Sequence, residues 1–228
     1  MKKIISYFTK SELIIWCVSV LMIIGSFLIS KDSGYLGLVA SLVGVTALIL
    51  CAKGNPIGQV FMIVFCLMYT YISYTFSYYG EMITYACMSL PMAVFSLVSW
   101  LRHPFKGNKA EVRVNRLSRK EYIHMVALNI VVTVAFYFIL KAFDTANLLV
   151  STFSITTSFG AAYLTMRRSP HYALWYAAND IVLICLWILA AIKDISYVSV
   201  IICFATFLIN DIYGFISWRR MEKRQSAG

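Results

Sequence analysis

Two Asn–Asp pairs stand inside runs that are otherwise apolar: Asn179–Asp180 in "LWYAANDIVLICLW" and Asn210–Asp211 in "FLINDIYGFISW". The amide offers donors and acceptors, and the carboxylate offers acceptors and negative charge. A charged carboxylate in hydrocarbon costs roughly 2.5–3.5 kcal/mol on insertion scales, so each Asp must face a cavity or a partner. No Lys or Arg lies in the interior of any apolar run. That leaves a water-filled cavity, a neutral protonated Asp or a cationic ligand. Amides and carboxyls also serve as plain interhelical hydrogen bonds, worth about 0.6 kcal/mol on average. Two pairs in corresponding places, one flanked by aromatic rings, favour a cavity.

Helical spacing sorts the neighbours. Trp175 and Asn179 are four residues apart and share one face, while Tyr176, Asp180, Leu183 and Trp187 form the adjacent face. Phe207, Asp211, Gly214 and Trp218 align in the second run, with Asn210 beside them. Aromatic rings next to an amide and a carboxylate suit a flat ligand with a polar edge and positive charge. Tyr69 is the deepest tyrosine of its run and joins the candidate cavity residues. Gln59, Thr46, Thr156 and Thr157 are weaker candidates. Trp100 and Trp218 stand at helix ends, where the expected role is an interface anchor.

The elements that position these residues are membrane spans. The chain has 228 residues, 61% hydrophobic, with mean hydropathy +0.77, far above a soluble domain. Eight apolar runs reach the roughly 20 residues needed to cross a bilayer: approximately 11–30, 35–52, 57–78, 82–101, 123–142, 146–166, 171–192 and 196–218. They are continuously apolar, which opposes a β-barrel, and the first is too long for a signal-peptide core. The fold expected is an all-α polytopic membrane protein.

The net charge of +10 is a matter of orientation. Of 20 Lys and Arg residues, 17 fall in the N-terminus, the 53–56, 102–122 and 167–170 loops and the C-terminus. The opposite loops hold Lys31, Lys141 and Lys193. This positive-inside alternation puts both termini in the cytoplasm and fits an inner (plasma) membrane. It leaves no footprint to assign to nucleic acid.

The long polar loop divides the chain into halves that repeat. "VFSLVSWLR" (94–102) and "IYGFISWRR" (212–220) close the fourth and eighth runs, matching Ser99/Ser217, Trp100/Trp218 and Arg102/Arg220. "AKGNP" (52–56) and "MRRSP" (166–170) form equivalent basic turns. The displacement is four helices, so the copies are parallel. The expected units are an extra N-terminal helix (1–34), a three-helix bundle (35–101), a basic loop and linker helix (102–145), a second three-helix bundle (146–222) and a tail (223–228). Repeat interfaces near the midplane are where transporters place their substrates. Pro91 is expected to kink the fourth helix.

The six cysteines are scattered through separate runs and read as packing residues, and the three histidines lack ligand spacing. Neither a metal nor another cofactor is expected. No catalytic motif appears, so no enzymatic activity is expected; a membrane-embedded enzyme or assembly protein is the alternative from another class. Homo-oligomerisation is left open.

Over roughly residues 35–222 the sequence resembles the PnuC-type vitamin transporters, best known for nicotinamide riboside. The resemblance rests on "AKGNP", "YISYTFSYYGEM" (71–82), "LPM" (90–92), "WYAAN" (175–179) and "YGFISWRR" (213–220). It implies an architecture similar to the SWEET sugar transporters and facilitated diffusion of an unphosphorylated vitamin, trapped afterwards by a cytoplasmic kinase. It also implies that Trp175 stacks on the nicotinamide ring and Asn179 bonds the carboxamide or ribose. Asn210 and Asp211 would hold ribose hydroxyls, and Asp180 would face the pyridinium charge. Phe207 and Phe215 stand where the family's terminal motif has Tyr, and Ala93 where Gln is common. Thiamine and riboflavin therefore remain alternative substrates.

Overall fold

The structure, a computed structural model, describes residues 7–29, 35–192 and 195–227. Lys31 and Lys193, counted above in the sparsely charged loops, lie outside the described residues. Eight described helices are long and apolar enough to cross a membrane. They are α1 (Lys10–Ile29), α2 (Tyr35–Ala52), α3 (Ile57–Thr75), α4 (Tyr79–Arg102), α5 (Arg119–Ala142), α6 (Leu148–Met166), α7 (Tyr172–Ala191) and α8 (Val198–Ala227).

Six of them close a ring, in the contact order α2–α3–α4–α6–α7–α8 and back to α2. Within the ring α3 lies between α2 and α4, and α7 between α6 and α8. The two three-helix units therefore meet at two seams, α2/α8 and α4/α6. Helix α1 packs on α8 and α2 at the first seam. Helix α5 packs on α6, and its Phe136 and Leu140 reach Met88 of α4 across the second. Thus α1 stands to one seam as α5 stands to the other. Side chains such as Leu28, Leu149 and Ile130 project outward, which is stable for a ring bathed in lipid.

The repeat extends to individual hydrogen bonds. Gly54 (φ +67) and Arg168 (φ +58) both adopt the left-handed conformation that ends a helix. Asn55 N bonds to Leu50 O at 3.1 Å, and Ser169 N to Leu164 O at 3.0 Å. Asn55 Oδ1 accepts from Ile57 N (3.0 Å), and Ser169 Oγ accepts from His171 N (3.4 Å). A glycine lowers the strain of the first turn; the second bears it on an arginine.

Two segments differ from expectation. The 102–122 loop contains a β-hairpin, β1 (Pro104–Phe105) with β2 (Asn108–Val112). Lys106 and Gly107, both at positive φ, supply its two-residue turn. The chain beyond it then joins the two repeats: Val112 N bonds to Gly54 O and Asn115 N to Arg168 O, both at 2.9 Å. The last helix does not stop near 218 but runs to Ala227. Its extension has partners waiting: Glu222 pairs with Arg116 at 2.7 Å, and Gln225 accepts from Val114 N at 2.8 Å and donates to Val112 O at 3.0 Å. The basic loops and the C-terminal helix end thereby gather at one end of the ring. Ser118 and Glu121 form a reciprocal capping box that starts α5.

The disturbance expected at Pro91 takes the form of a π-helical stretch, Thr84–Ser89, just before it. Proline cannot donate to the preceding turn, and the widened turn absorbs the lost bond.

Candidate functional site

The ring encloses a cavity of about 210 Å³ to which each of its six helices contributes. The lining runs from Thr145, Glu81 and Val200, at the end away from the basic loops, down to Gln59, Ser96 and Asp211. Tyr69, Asn179, Asp180, Trp187 and Asp211 all line it. On α7 the stripe facing the cavity is Tyr176, Asp180, Leu183 and Trp187, with Asn179 at its edge.

Trp175 and Asn210 are placed elsewhere. The Trp175 ring lies across Gly160 of α6, so close that an added Cβ would stand 2.4 Å from it. The pairing of Trp175 with Asn179 on one face is therefore split: a helix turn later the same side has reached the cavity rim. Asn210 turns toward α1, where its Nδ2 donates to Ser19 Oγ and to Thr206 O, both at 2.9 Å. That position fixes α1 against α8 and does not reach the cavity wall.

The two walls differ in chemistry. Aligning the basic turns sets Phe65 and Cys66 of α3 opposite Asn179 and Asp180 of α7 as repeat-equivalent positions. The α3 side is aromatic: Phe65 and Tyr69 have ring centroids 4.6 Å apart, and Tyr69 and Tyr85 5.1 Å. Phe207 meets Phe65 edge-on at 6.2 Å. Gly44 makes this possible, since a Cβ there would come within 2.9 Å of both Phe65 and Phe207.

The α7 side is polar. Asn179 Oδ1 accepts from Ser154 Oγ and Thr157 Oγ1, both at 2.9 Å. With its oxygen held, the amide has no acceptor for Nδ2 among the described residues, so the NH2 group is the edge left for a ligand. Asp180 and Asp211 both line the cavity and are buried. The Oδ2 atom of Asp180 is buried without a hydrogen-bond partner among the described residues. No Lys or Arg lines the cavity among the described residues.

Sequence reasoning missed Glu81, a third carboxyl group in the lining. Helix α4 begins at Tyr79, three residues before the expected boundary, and this draws Glu81 inside beside Ser73. It also missed Phe65 and Tyr85, since an aromatic residue in an apolar span carries no signal of its own. Glu12, in the first turn of α1, is 3% exposed. It caps α1 through Thr9 N (2.7 Å) and pairs with Lys53 at 2.9 Å.

Trp100 and Trp218 are not interface anchors: both are fully buried, with ring centroids 5.3 Å apart. Each clamps the seam opposite its own unit. Trp100 Nε1 donates to Thr165 O (2.8 Å) and Ser99 Oγ to Met166 O (2.7 Å). Trp218 Nε1 donates to Cys51 O (2.8 Å) and Ser217 Oγ to Ala52 O (2.7 Å). These four bonds, related by the repeat, tie the last carbonyls of α6 and α2 to the other unit and close the ring beneath the cavity.

A pseudo-symmetric ring of spanning helices, closed at one end around a polar and aromatic cavity, defines a small-solute membrane transporter built on an internal repeat. A family model described as nicotinamide mononucleotide transporter matches residues 34–220, and the chain belongs to that family. A nicotinamide riboside transporter PnuC of Neisseria mucosa is 26% identical over 218 residues, 93% of this chain and 82% of that protein. Its namesake in Haemophilus influenzae is 22% identical over 198 residues, 86% and 84% of the two chains. The crystal structure of a vitamin B3 transporter PnuC matches the fold with a TM-score of 0.80 at 24% identity, covering 96% of this chain and 94% of that one.

Proposed function

We propose that this chain moves nicotinamide riboside across a cell's inner membrane by facilitated diffusion, with the ring cavity as its binding site. The observation that carries this reading is the lining: aromatic rings on one wall with the Glu81 carboxyl near them, a held amide and two carboxyl groups on the other, and no basic residue among the described residues. Nicotinamide riboside is a flat cationic ring with a carboxamide and a ribose, and each part has a counterpart there. The ring would lie against Phe65 and Tyr69, and the Asn179 NH2 would meet the carboxamide or ribose oxygen. Asp180 and Asp211 would face the positive ring. Trp175 and Asn210 would act indirectly, by seating α7 on α6 and α1 on α8.

The family model names the mononucleotide and the curated relatives the riboside. Charge favours the riboside. A phosphate monoester brings about 1.5–2 negative charges into a cavity lined by Glu81, Asp180 and Asp211, with nothing basic to receive them. The gathering of basic loops at one end supports cytoplasmic termini, and the cavity then faces outward. Rocking of the two three-helix units about their seams would open the other end. A cytoplasmic kinase would trap the product.

Binding of nicotinamide riboside, its mononucleotide, thiamine and riboflavin to the purified protein, together with uptake into vesicles, tests the proposal. Tightest binding and uptake are expected for the riboside, with the mononucleotide excluded. Preference for thiamine would keep the cationic-ring site and replace the substrate; preference for the mononucleotide would overturn the reading of the cavity.

A further inference from the structure

Arg168 is the residue at which the internal repeat departs from itself. In the two basic turns Lys53 corresponds to Arg167, and each pairs with the capping glutamate of a peripheral helix, Glu12 of α1 and Glu121 of α5. One position on, the first turn has Gly54 and the second Arg168, both in the left-handed conformation that glycine adopts at lower cost. The arginine bears a second cost. Its Nε and Nη1 are buried without a hydrogen-bond partner, as is Nε of Arg167. Guanidinium groups can only donate. The carbonyls that an arginine at a helix end ordinarily takes are occupied here: Thr165 O by Trp100, Met166 O by Ser99 and Leu164 O by Ser169 N. The carboxylates described at the basic end are also committed: Glu12 to Lys53, Glu111 to Arg224, Glu121 to Arg167, and Glu222 to Arg116 and Arg219. Arg113 adds a further positive charge, two residues before Asn115, whose N holds Arg168 O. Burial, and then the like charges of Arg167 and Arg113, push the Arg168 guanidinium below its ordinary value. A strained, half-buried guanidinium kept among like charges calls for an anion, and its planar fork matches the oxygens of a phosphate.

We propose that Arg168 and Arg113 form a binding site for a phosphate group at the basic end of the ring, outside the cavity. The ligand is a phosphate or phosphate ester, carried by a free solute or by a lipid headgroup. The 112–115 segment ties the two basic turns together through Gly54 O and Arg168 O. The second of these turns directly follows the carbonyls on which Trp100 and Ser99 close the ring. A phosphate held between Arg113 and Arg168 strengthens the tie, so it favours the closed basic end and slows transport. That effect rests on the rocking of the two units proposed above; the binding itself does not.

The test uses the full-length protein in phosphatidylcholine nanodiscs at low ionic strength, titrated with inorganic phosphate and with ribose 5-phosphate. Calorimetry and the melting temperature are the readouts. Arg168→Gly is the decisive variant, because Gly54 already holds the equivalent turn. It should fold at least as stably as its parent and lose about ten- to 150-fold in phosphate affinity, the effect of one charged hydrogen-bonding partner. Arg113→Gln leaves the turn untouched and should weaken binding too; should Arg168→Gly fail to fold, Arg113→Gln decides. A response to the soluble probes that these variants lose assigns the site to a free phosphate. Where the soluble probes do nothing, but phosphatidate in the nanodisc raises the melting temperature of the parent and not of the variants, the site belongs to a headgroup. Equal responses of parent and variants, or no response to any probe, would overturn the site. Exchange of nicotinamide riboside across vesicles is read separately. The phosphate source that binds, placed on the basic-loop side, should slow exchange in the parent and spare Arg168→Gly. Binding through Arg168 with exchange unslowed would overturn the closing role. A protein that binds phosphate through Arg168 yet moves no riboside would keep the site and overturn the proposed function.

Discussion

At the scale of the residue, Asn179 is the most exacting feature of the cavity, because two hydroxyls hold its oxygen and orient its NH2. Asn179→Leu keeps the size and removes the donor. It also leaves Ser154 and Thr157 without their shared acceptor, although both can turn to backbone carbonyls in their own helix, as Thr157 does with Ser154 O at 3.0 Å. Loss of one well-placed hydrogen bond to a ligand in a closed site is worth about 1–3 kcal/mol, or roughly five- to 150-fold in affinity. Binding should fall by that factor while membrane insertion and melting temperature hold; unchanged affinity would remove Asn179 from the site. Asn179 and the two aspartates were legible because polar atoms in hydrocarbon demand a reason. Glu81 was hidden by a boundary displaced by three residues, and Phe65 by having apolar neighbours that any span would have.

At the scale of the element, the eight spans could be read because hydropathy sums over many residues and tolerates local error. The rotation of each helix could not. On α7 two adjacent stripes were equally polar and aromatic, and the packing of Trp175 on Gly160 decided which one faced the cavity. The repeat-equivalent of Gly160 is Thr46, so no internal comparison would have pointed to the glycine. Gly160→Ala sets a methyl group against a buried indole and should cost about 1–3 kcal/mol, as overpacking does, seen as a lower melting temperature in detergent. Trp175→Leu should recover part of that loss in the double variant, because it removes the ring the methyl group strikes. Equal destabilisation with and without the tryptophan would place the cost somewhere other than this contact. The terminal part of α8 and the hairpin were illegible for a related reason: their partners, Glu222 with Arg116 and Gln225 with Val114, are more than a hundred residues apart.

At the scale of the whole molecule, the internal repeat becomes a closing device. The matched Ser–Trp pairs were visible in the sequence as a repeat, but a helix-end tryptophan in a membrane protein reads as an anchor at the lipid surface. Only the ring arrangement shows that each unit's tryptophan binds the other unit's helix end, Trp100 on α6 and Trp218 on α2. Opening the basic end must break these bonds, so weakening them should shift the equilibrium toward the opposite-facing state. Trp218→Phe keeps an aromatic ring and deletes the bond to Cys51 O, worth about 1 kcal/mol or about fivefold in population. Cys51 is buried directly at the clamp and reports on it, since labelling of a transiently exposed thiol follows the open population when opening and closing are fast. With Cys51 as the sole cysteine, a membrane-impermeant maleimide applied from the basic-loop side should label Trp218→Phe about fivefold faster than its parent. The repeat adds a sharper demand: Trp100→Phe, which weakens the other seam, should accelerate Cys51 labelling to a similar degree although the hydrogen bond it deletes goes to α6. Acceleration by Trp218→Phe alone would mean that the seams loosen independently, and the two units would then not rock as rigid bodies.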